Sequence, residues 1–260
     1  KHGKYRRECL CQQYRSLLAL SNDYFHREEI RLPPIIGTVG SVAVGNSTTA
    51  RVLQQVLSVL PEKPKVDLGT TDGSLYPNAE LITIGILNRK GFPESYDTRL
   101  LLSFLSGMKS ENRTYKLPLY SHLVYDIVPN ECQAIEQPDK LIVEGINVLQ
   151  VNAQKQSGNG VFVSNFFDLS IYVDAAEEDI VSWYIDRFES LRATAFQDNT
   201  SYFHKYADMS PEESQKMASG IWNEINKPNL LENILPTRYR AALIFTKDAQ
   251  HYVKEVKVRR

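Results

Sequence analysis

A loop with two glycines is the first part of the sequence whose residue types and spacing could do chemistry. Gly40 and Gly45 are separated by four residues, and Asn46 and Ser47 follow directly. This is the spacing of a phosphate-binding loop (P-loop), whose main-chain N–H groups and following helix terminus surround an anion. Such a loop binds the phosphates of a nucleotide such as ATP, and the Ser47 hydroxyl is the candidate ligand for Mg²⁺. The candidate residues are Gly40, Ser41, Val42, Ala43, Val44, Gly45, Asn46, Ser47 and Thr48.

The P-loop pattern fails at one position, because Asn46 stands where the pattern requires lysine. Lysine would bring a full positive charge to the β- and γ-phosphates, whereas asparagine brings a neutral dipole on a shorter side chain. Losing one preorganised neutral donor lowers a rate by roughly 10²–10³, and we expect the loss of a charge to cost at least as much. Nucleotide binding can persist, since the loop N–H groups remain. A glycine-bearing turn in a different α/β protein is the alternative interpretation.

Two acidic residues follow predicted strands and are candidates for proton transfer or metal binding. Asp72 comes after the strand predicted over 66–71, and Glu144 follows the strand predicted over 141–143. Ligands of a doubly wound sheet bind at the carboxyl ends of its strands. A carboxylate there can accept the proton of a substrate hydroxyl or approach Mg²⁺. The alternatives are a turn aspartate for Asp72, because Asp-Gly is a common turn pair, and a helix cap for Glu144.

Strands alternate with helices along most of the chain. This order predicts an α/β protein of the P-loop kinase fold, with a mainly parallel central sheet and helices on both faces. The strand before the loop, at Ile35 and Ile36, is expected to be interrupted by Pro34 and Gly37. Further strands are predicted over 169–173, 241–246 and 252–258, and helices over 5–29, 47–60, 98–108 and 210–226, the last beginning with a capping box.

The overall composition excludes several classes of function. The 30 basic and 31 acidic side chains nearly cancel, so neither nucleic acid nor an anionic membrane is expected as a partner. Cys9, Cys11 and Cys132 are odd in number and lack metal-binding spacing, which favours the reducing cytoplasm. No apolar run approaches the roughly 20 residues of a membrane-spanning helix.

The 260 residues contain no linker, so we expect one P-loop kinase domain over 1–260. The sequence begins with Lys1 rather than methionine. Residues 1–31 are therefore interpreted as an N-terminal helical segment that is truncated relative to a longer natural chain.

Eight stretches of the sequence together resemble bacterial type I pantothenate kinase, a family of P-loop kinases. The resemblance runs from about Leu32 to Arg260 and is far more specific than the P-loop alone. The stretches are GSVAVG at 40–45, STTARVL at 47–53, TTDG at 70–73, RKGFPESY at 89–96, YSHL at 120–123, EGINVL at 144–149, YFH at 202–204 and NILPTR at 233–238.

This resemblance implies ATP-dependent phosphorylation of pantothenate with Mg²⁺, the first step of coenzyme A synthesis. It also implies a homodimer that coenzyme A inhibits by feedback. Asp72 corresponds to the catalytic base, and Arg187 to the residue that stabilises the transferring phosphate. The positions that match pantothenate-binding residues are Tyr120, His122, Tyr184 and Asn226, and an aromatic pocket for substrate and inhibitor tails corresponds to Phe188, Tyr202, Phe203 and Tyr206. Core packing is the alternative interpretation for these aromatic side chains.

The chain departs from the family pattern at Asn46, at Ser74, where the family has phenylalanine, and at Asn165, where the family usually has aspartate. Three hypotheses remain open. The first is an active pantothenate kinase of reduced turnover, in which another cation, Arg187 first, covers for Asn46. The second is a catalytically impaired homologue that binds nucleotide or coenzyme A in a regulatory role. The third is a kinase for another small alcohol such as a nucleoside, against which the substrate positions argue.

Overall fold

The computed structural model describes residues 32–110, 114–150 and 161–259, and Pro33–Arg259 forms one compact unit. Its main sheet contains six strands in the spatial order β2-β5-β1-β6-β7-β8. Neighbouring strands are parallel except at the edge, where β7 and β8 pair antiparallel. The predicted mainly parallel sheet is confirmed. These strands are β1 (Ile35–Gly40), β2 (Val66–Thr70), β5 (Lys140–Glu144), β6 (Leu169–Asp174), β7 (Leu243–Lys247) and β8 (Val253–Val258).

Helices connect most of these strands, and none of the described helices is long and apolar enough to cross a membrane. The α-helices are α1 (Asn46–Ser58), α2 (Asn78–Thr83), α3 (Thr98–Met108), α4 (Glu177–Arg192), α5 (Pro211–Ile221) and α6 (Lys227–Asn229). Shorter 3₁₀ turns cover Thr71–Ser74, Leu87–Arg89, Pro93–Ser95, Val163–Phe166, Ala195–Gln197, His204–Tyr206 and Leu235–Arg240. The helix predicted over 5–29 lies outside the described residues.

Alternate residues of the central strands face opposite layers of helices. Ile36 and Ile142 pack with Ala50 of α1 in the cluster on one face of the sheet. Ile35 and Leu141 belong to the cluster on the other face, which contains apolar residues of α3 and α4. Because strand side chains alternate between faces, this division places helices on both sides of the sheet, as predicted.

The strand before the P-loop is continuous, so the interruption expected at Pro34 and Gly37 was wrong. All six residues of β1 are buried, and Gly37 pairs with both neighbouring strands. A Cβ built on Gly37 would lie 2.5 Å from carbons of the Phe167 ring. Glycine is therefore needed here for close packing against an aromatic ring. Pro34 simply precedes the strand.

A separate antiparallel hairpin, formed by β3 (Thr114–Ser121) and β4 (Asp126–Glu136), was not predicted. Most of its residues are exposed or half-buried, and only Leu117 and Ile135 are fully buried. These two side chains pack beside Gly69 of β2. The hairpin carries Tyr120, with His122 directly after β3.

The capping box predicted at the start of α5 is confirmed. Ser210 Oγ accepts a hydrogen bond from the Glu213 N–H at 3.2 Å, and the Glu213 carboxylate accepts one from the Ser210 N–H at 2.9 Å. The helix continues beyond Ile221 as a wider π-helical turn, Trp222–Asn226, and a second such turn covers Leu230–Ile234. Widened turns of this kind often occur at functional sites.

Candidate active site

The P-loop forms the turn between β1 and α1 at the carboxyl edge of the sheet. Ala43 and Gly45 have positive φ angles of 66° and 81°. At Gly45 the absence of a side chain makes this left-handed conformation free of strain. A Cβ on Gly40 would lie 2.6 Å from the Val44 side chain and 2.9 Å from the Val173 carbonyl oxygen. Both glycines of the pattern are thus required by the turn itself.

The first turn of α1 presents main-chain donors to the loop. In the described part of the chain, the N–H groups of Gly45, Asn46 and Ser47 have no protein acceptor, as expected at a helix start. The helix dipole places its positive end at the same point, and no acidic residue occurs in the first turn. This geometry suits an anion such as a phosphate group. Thr48 is exposed, and no hydrogen bond joins its side chain to other described residues.

Glu144, at the end of β5, connects the two residues that follow the second loop glycine. Ser47 Oγ lies 3.0 Å from each carboxylate oxygen, and Asn46 Nδ2 donates to Oε2 at 3.0 Å. Burial raises the pKa of Glu144, and so does the nearby charge of Asp72, whereas the hydrogen bond from Ser47 lowers it. Glu144 pairs with Thr70 of β2, two positions before Asp72, so the two carboxylates lie at the same edge of the sheet.

The donor set around Ser47 fits Mg²⁺. Its hydroxyl and the Glu144 carboxylate are hard oxygen ligands of the type that Mg²⁺ prefers. Within the ranges that the structure describes, no group of three acidic, histidine or cysteine side chains could hold a metal ion. A Mg²⁺ ion at Ser47 would therefore take its remaining ligands from phosphate oxygens and water, as is usual for this ion.

Asn46 is buried, and the protein itself uses both of its amide hydrogens. Nδ2 donates to the Thr38 carbonyl at 3.3 Å and to Glu144 at 3.0 Å, which accounts for its two N–H groups. Its Oδ1 atom is buried and has no hydrogen-bond partner among the described residues. The side chain therefore offers a phosphate group neither a charge nor a free donor.

Asp72 lies just past β2, in the 3₁₀ turn Thr71–Ser74, as its position in the sequence suggested. Burial raises the pKa of its carboxyl to about 6, and the charges of Lys90 and Arg187 oppose a larger rise. His122 Nε2 lies 3.8 Å from Asp72 Oδ2, which is too long for a hydrogen bond. Desolvation in the cleft, followed by the charge of Arg187, lowers the pKa of His122. A carboxyl that titrates near neutrality can exchange a proton with a bound hydroxyl.

Lys90 is a charged residue of this site that the sequence reasoning missed. Its Nζ donates to Asn78 Oδ1 and to the Tyr125 carbonyl, both at 2.6 Å, and lies 4.0 Å from Asp126 Oδ1. Burial lowers its pKa to about 8, while the charges of Asp126 and Asp72 oppose a larger fall. The only sequence signal was its place in the matching stretch 89–96, which says nothing about burial beside a carboxylate.

Four of the predicted substrate residues come from separate elements but belong to one aromatic wall, which consists of Tyr120, His122, Tyr125, Phe188, Tyr202, Phe203 and Tyr206. Tyr120 packs edge-on against His122 at 5.2 Å, and Tyr125 lies 5.2 Å from Tyr202, measured between ring centroids. The series continues through the contacts Tyr120–Tyr125, Tyr202–Phe203, Phe203–Tyr206 and Tyr206–Phe188. Tyr202 packs against neighbouring rings and is still 37% exposed, so its side chain can also contact a ligand.

Tyr184 and Asn226 are brought together by the π-helical turn at the end of α5. Burial raises the pKa of Tyr184, and its hydrogen bond with the Asn226 side chain acts in the opposite direction, as does the charge of Arg187. Tyr184 also packs against Trp222 at 5.6 Å between ring centroids. The tyrosine hydroxyl and the amide thus lie on one side of α4, the side that Arg187 also faces.

The other two departures from the family pattern are accommodated locally. Ser74 is buried, and its hydroxyl donates to the Thr71 carbonyl at 2.7 Å. Asn165 Oδ1 accepts a hydrogen bond from the Phe162 N–H at 2.7 Å, a role that an aspartate oxygen fills equally well. Asn46 is therefore the departure that bears on the phosphate site.

Comparison with known proteins agrees with this geometry. Residues 35–200 match the phosphoribulokinase/uridine kinase family. The chain is 55% identical over 239 residues to a pantothenate kinase of Shouchella clausii, covering 92% of this chain and 76% of the relative. It is 53% identical to a pantothenate kinase of Bacillus subtilis, covering 90% and 74%. The solved structure of phosphoribulokinase from Rhodobacter spheroides shares the fold, with a TM-score of 0.55, 15% identity and coverage of 89% and 81%. The chain therefore belongs to the pantothenate kinase family, within the wider phosphoribulokinase/uridine kinase group of P-loop kinases.

Proposed function

We propose that this chain transfers the γ-phosphoryl group of ATP to a hydroxyl of pantothenate, giving 4′-phosphopantothenate. The observation that carries the proposal is the carboxyl of Asp72, tuned by Lys90 and Arg187 at the sheet edge that also holds the P-loop. The relatives at 52–55% identity are named pantothenate kinases, which supports pantothenate as the acceptor. They do not favour the alternative of an impaired homologue with a regulatory role.

In the proposed reaction, Asp72 accepts the hydroxyl proton as the pantothenate oxygen bonds to the γ-phosphorus. The bond from the γ-phosphorus to the bridging oxygen breaks, and ADP leaves with its electron pair. A base with a pKa of about 6 is mostly deprotonated at neutral pH and can take this proton. Arg187 provides a fork of donors for the oxygens of the transferring phosphoryl group.

The nucleotide end of the site is assigned to residues 40–48. Their main-chain N–H groups and the α1 terminus hold the phosphates, and Ser47 with Glu144 would hold Mg²⁺. Bound Mg²⁺ neutralises negative charge on the β- and γ-phosphates. Asn46 supplies no charge here, so we expect ATP to bind while turnover is reduced.

The acceptor end is assigned to the aromatic wall and to the polar groups beside it. Pantothenate carries a carboxylate, an amide and two hydroxyls, which tyrosine, histidine and asparagine side chains can hydrogen-bond. Lys90 adds a cation that keeps the pKa of Asp72 within the neutral range. The proposed substrate residues are Tyr120, His122, Tyr184, Tyr202, Tyr206 and Asn226.

The pH profile tests the role of Asp72 as a base. Because the deprotonated carboxylate is the active form, kcat/KM should rise with pH, level off above about pH 6, and fall about tenfold per unit below it. Replacing Lys90 with methionine removes a charge that lowers this pKa, so the midpoint should move to higher pH. A flat profile between about pH 5 and 7 would exclude a base with the pKa of Asp72.

The pair Tyr184–Asn226 gives a test of the acceptor site. Tyr184→Phe removes the hydroxyl and leaves the Asn226 amide short of one partner, so KM for pantothenate should rise about 3- to 10-fold. KM for ATP should stay unchanged. The control is Tyr239→Phe, at a tyrosine that is 72% exposed, and this variant should leave KM unchanged for both pantothenate and ATP. Equal effects on both substrates would indicate a general loss of structure.

Acceptor competition tests the proposed substrate directly. The chain is incubated with MgATP and equal concentrations of pantothenate and a nucleoside such as uridine, and ³¹P NMR identifies the phosphorylated product. We expect phosphopantothenate alone. A nucleoside monophosphate as the main product would show that the acceptor is another small alcohol and not pantothenate.

The broader properties of the family complete the proposal. We propose that the protein acts in the cytoplasm as a homodimer and that coenzyme A inhibits it by feedback. The resemblance of the chain to type I pantothenate kinases supports these assignments. Coenzyme A would compete for the aromatic wall through its pantothenate-derived tail.

A further inference from the structure

Lys247, the last residue of β7, places its ammonium group against the P-loop. Its Nζ donates to the Val44 carbonyl at 2.9 Å and lies 3.4 Å from the Gly45 carbonyl oxygen. The residue is only 5% exposed. A Cβ on Gly45 would lie 2.7 Å from Nζ, so glycine at this position lets a buried cation approach the loop backbone.

The charge of Lys247 has no acidic counterpart within the described ranges. Burial lowers its pKa, and no carboxylate acts in the opposite direction. The two acceptors are neutral carbonyls, whereas an ammonium group has three N–H donors. Buried charges are normally paired, because desolvating an isolated ion is strongly unfavourable. An anion held in the adjoining loop would supply the balancing charge.

Lys247 also acts on the peptide groups that form the loop. The Val44 carbonyl shares its peptide group with the Gly45 N–H, and the Gly45 carbonyl shares its peptide group with the Asn46 N–H. The peptide bonds are trans, so each N–H points away from the carbonyl that faces Lys247. A cation at a carbonyl oxygen polarises the peptide group and strengthens its N–H as a donor. These two N–H groups have no protein acceptor in the described part of the chain.

Arg187, the cation that the sequence suggested first as cover for Asn46, makes no hydrogen bond to the loop within the described part of the chain. Its charge lowers the pKa values of Asp72, His122 and Tyr184, which all belong to the acceptor side. Lys247 contacts the loop itself.

We propose that Lys247 supplies positive charge to the phosphate site of this chain and so compensates in part for the P-loop lysine that Asn46 replaces. The ammonium group would act through the polarised N–H donors and through its charge, which lies on the carbonyl side of the same two peptide groups. The inference rests on the proposed function in so far as the anion is the polyphosphate of a nucleotide.

Calorimetric titration with inorganic tripolyphosphate, ADP and adenosine tests this proposal. Lys247→Gln keeps a donor for the carbonyls but removes the charge, so tripolyphosphate and ADP should bind about 10- to 100-fold more weakly. Adenosine affinity should not change, and Lys247→Arg should retain most of the affinity for both anions. Lys254→Gln removes an exposed lysine on the neighbouring strand β8 and should bind all three probes like the parent.

A double-mutant cycle separates the charge from mere support of the loop. If Lys247 replaces the missing lysine, Lys247→Gln should weaken tripolyphosphate binding less in the Asn46→Lys background than in the parent. Equal penalties in both backgrounds, or unchanged tripolyphosphate affinity in Lys247→Gln, would overturn the proposal. So would a parent chain that does not bind tripolyphosphate. Failure of the proposed function would look different, because pantothenate would not be phosphorylated while anion binding still depended on Lys247.

Discussion

Asp72→Asn is expected to lower the turnover number for pantothenate phosphorylation by about 10²–10⁴-fold, the range of a general base. The change keeps the size of the side chain but removes the group that accepts the proton. It is best measured in the Asn46→Lys background, where the starting rate is higher. Nucleotide affinity should remain nearly intact, because Asp72 lies after β2 and the phosphate donors lie between β1 and α1.

Asp67→Asn is the matched control for this substitution. Asp67 lies on β2 five positions earlier, its side chain is 25% exposed against 27% for Asp72, and its ion pair with Lys65 is remote from the loop. This variant should turn over like its parent. If Asp72→Asn does so as well, Asp72 is not the base, and another group must take the hydroxyl proton.

Asn46→Lys is expected to raise turnover by about 10²–10³-fold or more, the scale of a preorganised donor at a developing charge. The physical reason is that Asn46 is neutral and commits both amide hydrogens to Thr38 and Glu144. A lysine at this position would retain a favourable contact with the Glu144 carboxylate and add a full charge at the loop. Steady-state kinetics with saturating MgATP and pantothenate give the ratio directly.

Asn46→Met separates charge from side-chain length, because methionine is about as long as lysine but neutral. We expect this variant to be no faster than the parent. A methionine variant as fast as Asn46→Lys would show that the charge is not the limiting feature. A parent that turns over as fast as Asn46→Lys would show that the asparagine does not impair turnover. Lys247 would then compensate fully for the missing lysine.

The elements with buried, continuous apolar runs were predictable from the sequence. The strands β5 and β6 contain such runs, and the glycine spacing placed the turn into α1 correctly. The β3–β4 hairpin was missed because its residues are mostly exposed and give no clear alternation of apolar and polar side chains. The role of Gly37 was misjudged, since only the fold brings Phe167 against it.

The site was predictable to a similar extent. Loop spacing gave the candidate residues 40–48, strand ends gave the candidates Asp72 and Glu144, and the family resemblance gave the proposed substrate residues. Lys90 and Lys247 were missed because their burial depends on partners that are distant in sequence: Lys90 contacts Tyr125, 35 positions away, and Lys247 contacts Val44, 203 positions away. A lysine in the sequence is by default an exposed residue, and only tertiary structure shows otherwise.

In the proposed function, the loop between β1 and α1 and the carboxylate of Asp72 together phosphorylate pantothenate. The most direct measurement is the transfer of label from [γ-³²P]ATP to pantothenate by the purified chain, with its Asn46→Lys and Asn46→Lys/Asp72→Asn variants in parallel. We expect slow labelling by the parent, fast labelling by Asn46→Lys, and loss of nearly all labelling when Asp72 is also replaced. If neither the parent nor Asn46→Lys labels pantothenate although both bind ATP and pantothenate, the chain is not a pantothenate kinase.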